Sequence, residues 1–107
     1  MSDKEVDRST APDGLSQESG LLWRRTLETW QLPDVTLLVC LENALRCLDR
    51  LRNAEAIVAK EGPVVKDPKS GQLKQHPATL AVRDEGRAFR EYLKMLNLDY
   101  ASLMTGR

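Results

Sequence analysis

Residues Val35 to Gly62 read VTLLVCLENALRCLDRLRNAEAIVAKEG, and the fold turns on this stretch. Between Val35 and Glu61 there is no proline and no glycine to break a helix, and Gly62 stands where a helix-ending glycine is expected. Just upstream, LPDV supplies a start. Proline biases the residue before it away from helical geometry, and Asp34 can cap the turn that follows. A helix over 35–61 is therefore predicted, about 40 Å long at the standard rise per residue. Leu37, Leu41, Leu45 and Leu48 mark one face of it, and Cys40, Ala44, Cys47, Leu51, Ala54 and Val58 mark a neighbouring one. So wide an apolar arc exceeds what one short neighbouring helix covers. Either two helices of the same chain flank it, or it also packs on another copy. The second expectation assigns Leu37, Leu41, Leu45, Leu48, Leu51 and Val58 to an oligomer interface.

On the N-terminal side, residues 1–14, MSDKEVDRSTAPDG, are polar and charged, with Pro12 and Gly14 interrupting them. They predict a disordered arm over 1–15. Ser16 is the expected N-cap, with Ser19 as the alternative. Leu22, Trp23, Leu27 and Trp30 then recur at helical spacing, so a first helix is expected over 17–30. Both tryptophans are expected in the core rather than stacked on bases.

On the C-terminal side comes Gly62 to Pro77, GPVVKDPKSGQLKQHP. VVK and QLK flank DPKSG, whose Asp, Pro, Ser and Gly are turn residues, and a β-hairpin over 63–76 follows. A lone hairpin is marginal in water and needs a surface, on the helices or on a neighbouring copy. His76 precedes Pro77, which suits a first helical turn, so the only histidine is assigned a structural role. A third helix is expected over 77–97, with Val82, Phe89, Leu93 and Leu96 on one side. Arg83, Arg87, Arg90 and Lys94 fall close to one line on another side. Residues 101–107 are read as a tail after a short turn. The expected fold is mainly α: a short first helix packed across an antiparallel helical hairpin that carries a small β-hairpin, forming one domain over 16–100.

The 107 residues suit a single modest core. Sixteen basic side chains balance sixteen acidic ones, so the chain lacks the basic excess usual in nucleic-acid binders. The charge is unevenly spread: 4 basic and 7 acidic groups lie in residues 1–34, and 9 basic and 6 acidic in residues 60–107. Any anion-facing surface is thus expected in the C-terminal half. Cys40 and Cys47, seven residues apart on one helix, lie too far apart for a disulfide and read as core residues in a reducing compartment. Two cysteines and one histidine make no zinc set, and no P-loop, HExxH or GxSxG pattern occurs. No catalytic residue, metal or cofactor is expected, and no membrane partner.

The basic residues admit two readings. Arg83, Arg87, Arg90 and Lys94 face phosphates, or they form a solvated face knitted by Asp84 and Glu91. Lys66, Lys69 and Lys74 join the first surface, or they guard exposed strand edges. Arg24 and Arg25 touch DNA backbone, or they point to water. A protein–protein adaptor is the competing class. A small helix-turn-helix regulator fits poorly, because the helix after QLPDV is far longer than a recognition helix.

The order of elements adds a resemblance. GLLWRRTLETW is followed by LPD, a long helix ending in AIVAKEGPVV, a lysine-bearing hairpin with a glycine at 71, and KQHPATLAVRDEGRAFREYLKMLNL. Over about residues 20–100 this resembles the compact phage terminase small subunits. His76 stands where the family usually has Asn, Asn97 replaces a common glycine, and MTGR replaces a Pro/Arg-rich ending. The resemblance implies a non-enzymatic, ring-forming homo-oligomer in the host bacterial cytoplasm. It also implies two partners: double-stranded viral DNA at the packaging site, and the large subunit that carries the ATPase and nuclease.

Overall fold

The structure, a computed structural model, describes residues 10–30, 32 and 34–106. Its elements are α1 (Gln17–Thr29), α2 (Val35–Glu61), β1 (Val64–Lys66), β2 (Leu73–Gln75), α3 (Pro77–Met95) and α4 (Tyr100–Thr105). α2 has the predicted bounds, and local chemistry explains them. The Asp34 side chain accepts from the Leu37 N–H at 3.0 Å, and Gly62 adopts φ 84°, a conformation costly for any residue with a Cβ. α2 and α3 run antiparallel, since their cross-contacts pair Glu61 with His76, Arg50 with Glu85, and Cys40 with Tyr92.

α1 is fastened to α2 through one carboxylate. The Ser16 hydroxyl caps α1 by accepting from the Ser19 N–H. Asp49 on α2 in turn accepts from the Ser16 N–H and hydroxyl and from the hydroxyl of the fully buried Ser19. Burial alone would raise the Asp49 pKa, but these hydrogen bonds outweigh it and hold the carboxyl below its ordinary range. Arg52 adds a second tie, donating to Glu18 of α1, Glu55 of α2 and the Tyr100 hydroxyl of α4.

Leu41, Leu45 and Leu48 are fully buried, together with Phe89 and Leu93 of α3 and Leu103 of α4, and Leu22 and Trp23 of α1 are buried in the same core. This corrects the expectation that the leucine face of α2 awaits another copy: α3 and α1 pack over it within one core cluster, and Leu51 is buried too. Of the residues assigned to an interface, only Leu37 and Val58 stay half-buried. Cys40 and Cys47 are free, buried thiols whose pKa values burial pushes up.

Two further boundaries differ from expectation. Residues 101–107 are not the tail expected from the sequence: α4 is capped by Asp99, which accepts from the Ser102 N–H, and it inserts Leu103 into the core. The expected arm over 1–15 is not wholly separate from the domain, since Ala11 and Leu15 pack against the core. Its first nine residues lie outside the described ones. α3 stops at Met95 because Asn97 adopts φ 60°. The Asn97 N–H then reaches Lys94 O and the Leu98 N–H reaches Leu93 O, the paired closure of a left-handed helix end.

The hairpin pairs Val64 with Gln75, Val65 with Lys74 and Lys66 with Leu73. Its turn is held by Asp67, whose side chain accepts from the Lys69 and Ser70 N–H groups. Gly71 completes the turn at φ 74°. The strands stand away from the helices: all their residues are exposed except the half-buried Val65. The hairpin is tied down at its base, where the His76 N–H donates to Pro63 O and the His76 side chain meets Glu61 at 2.8 Å. Among the described residues, no helix is long and apolar enough to cross a membrane.

Candidate nucleic-acid interface

α3 is strongly two-sided. Ala78, Gly86, Phe89 and Leu93 are buried, and this fixes the helix's rotation about its axis. With that side turned inward, Arg83, Arg87, Arg90 and Lys94 are all exposed. Positions i, i+4, i+7 and i+11 lie nearly above one another, so the four cations form a ridge about 16 Å long. Arg83 pairs with Asp84 at 3.1 Å and Lys94 with Glu91 at 3.3 Å, both in open water where such pairs hold weakly. Among the described residues, Arg87 and Arg90 have no acidic partner within salt-bridge distance. Glu85, the nearest other acid on the helix, is engaged by Arg50 at 2.9 Å.

Lys66 and Lys69 are exposed on the hairpin and unpaired among the described residues, while Lys74 lies 3.9 Å from Asp67. An open hollow lined by Val64, Leu73, Lys74, Gln75 and Thr79 joins the hairpin to the start of α3. Thr79 is four residues before Arg83, so the hollow opens onto the same side of α3 as the ridge. At the other end, a hollow of about 150 Å³ between α3 and α4 is lined by Arg90, Leu93, Lys94, Leu98, Asp99 and Tyr100. Tyr100 stands edge-on to Phe89, with ring centres 6.1 Å apart.

Arg24 is exposed on α1. Arg25 is not available to a ligand: its guanidinium donates to the carbonyls of Leu103 and Met104 and closes the C-terminal end of α4. Sequence reasoning missed this because it read those carbonyls as part of a tail. Trp23 is buried and Trp30 half-buried. His76 caps α3, its Nδ1 accepting from the Ala78 N–H at 2.9 Å.

Residues 23–104 match the family described as phage terminase, small subunit. The chain belongs to this family. Comparison with curated proteins and with solved structures gives no match. Terminase small subunits serve phage genome packaging in association with the large subunit and viral DNA, and they are generally non-catalytic.

Proposed function

We propose that this terminase small subunit is a non-catalytic, self-associating component that holds duplex DNA on its α3 ridge and presents it to the large subunit. The observation that carries the reading is the alignment of Arg83, Arg87, Arg90 and Lys94 on one exposed line, with Arg87 and Arg90 unneutralised among the described residues. In a chain of zero net charge, such a local row is what can exchange condensed counterions on a phosphate backbone. The hairpin lysines Lys66, Lys69 and Lys74 extend the same cationic surface.

Self-association would multiply this modest patch, because each copy repeats it. Apolar side chains left outside at the two ends of the helical hairpin support it. Val35 (69% exposed), Val39 and Met95 (68%) lie at one end, and Ile57 and Leu80 at the other. These residues, with the half-buried Leu37 and Val58, take the interface role first expected of the central leucines.

The test is the double charge reversal Arg87→Glu/Arg90→Glu. All four ridge side chains point to water, so the fold should survive, and circular dichroism should be unchanged. Duplex binding, followed by fluorescence anisotropy, should be abolished. Unchanged duplex binding with lost binding to the large subunit would instead assign the ridge to an acidic protein partner.

A further inference from the structure

The hairpin carries more than charge. Its register puts Val64, Lys66, Leu73 and Gln75 on one face of the two-stranded ribbon, since directly paired residues share a face. Leu73 is 75% exposed and Val64 48%. No hydrogen bond within the described chain engages the side chains of Lys66 or Gln75, whereas Asp67 is occupied by the turn. A bare leucine between an unpaired lysine and an unpaired amide is unusual on a ribbon that touches little else of its own chain. Three lysines against the single carboxylate of Asp67 give residues 63–76 a positive balance. The hollow beside this face opens onto the side of α3 that bears the cationic ridge.

We infer that this face of the hairpin is a base-reading ribbon that enters the major groove of DNA while the α3 ridge holds the flanking phosphates. The inference rests on the DNA-binding reading above and assigns the sequence discrimination within it. The major groove, about 12 Å wide, admits a two-stranded ribbon, and the chemistry of the face matches base edges there. Gln75 offers a bidentate amide for adenine N6 and N7, Lys66 donates to guanine O6 and N7, and Leu73 supplies apolar contact for a thymine methyl. Strands of three residues span about 10 Å, which corresponds to about three base pairs per copy. The charge balance favours a polyanion over a second copy of the chain as the occupant of this face.

The experiment is enrichment from a duplex library randomised at its central positions, using the full chain. Wild-type protein should enrich a short motif. The neutral double variant Leu73→Ala/Gln75→Ala should keep its affinity for the unselected pool and its salt dependence, yet lose roughly tenfold or more in preference for the motif. Gln75→Glu should move the preference at one position from adenine toward cytosine, a swap that a merely structural role of Gln75 would not produce. The same motif enriched by all three proteins, or binding by the wild type with no enriched motif, overturns the ribbon and leaves the ridge standing. A wild type that binds no duplex sinks both readings. A fall in assembly mass for the double variant, measured by light scattering, would make this face a contact between copies and also overturn the proposal.

Discussion

The middle of α2 and the β-hairpin are opposite uses of apolar residues in one chain. In the middle of α2, Leu41, Leu45 and Leu48 lose all contact with water as α3 and α1 close over them. On the hairpin, Val64 and Leu73 face outward, held in place by backbone pairing, a glycine turn and the His76–Glu61 contact at the base. The difference separates what folds this chain from what it can show a partner. The long helix is a scaffold, while the outer side of α3, the hairpin and the two ends of the helical pair are exposed among the described residues.

The largest effect that sharpens this contrast is on stability. Leu45→Ala should destabilise the fold by about 2–5 kcal/mol, because it removes a fully buried side chain and leaves a cavity. Leu73→Ala should change stability by less than about 0.5 kcal/mol, as exposed substitutions do. Chemical denaturation of the two variants measures the difference. Equal losses would show that the hairpin is covered after all.

Next in size is the Asp49 clasp. Asp49→Ala should cost about 1–3 kcal/mol, since Ser16 and the buried Ser19 lose a charged acceptor. The depressed folded-state pKa sets the pH behaviour. Its stabilisation is complete above the ordinary aspartate value of 3.8 and is lost as pH falls below it through the folded-state value. Acid titration of stability should therefore be shallower in Asp49→Asn than in the wild type.

Smaller again is the contrast between adjacent arginines. Arg25→Ala should cost about 1–2 kcal/mol by freeing the α4 carbonyls, and Arg24→Ala almost nothing. Thermal melts of the pair decide it, and equal melting temperatures would remove Arg25 from its structural role.

Much of this was legible in the sequence, for identifiable reasons. The bounds of α2 were readable because Asp34 and Gly62 act locally, through a cap and a left-handed backbone. The ridge was readable because helical spacing alone decides which side chains share a face. α4 was not, since six residues show no period, and with it went the role of Arg25, whose partners lie 78 and 79 residues away. The cover over Leu41, Leu45 and Leu48 was misjudged for a different reason. Judging it required knowing that α3 and α1 together close over this face, a matter of how the helices pack that spacing along α2 does not encode.

The central claim, that the α3 ridge binds duplex DNA through its phosphates, is tested most directly by the salt dependence of wild-type binding. With the four ridge cations engaged per copy, the logarithm of the binding constant should fall with the logarithm of salt concentration at a slope of at least about −3 to −4 per bound copy, steeper as the hairpin lysines join. A slope near zero, or no measurable duplex binding at low salt, would contradict the account.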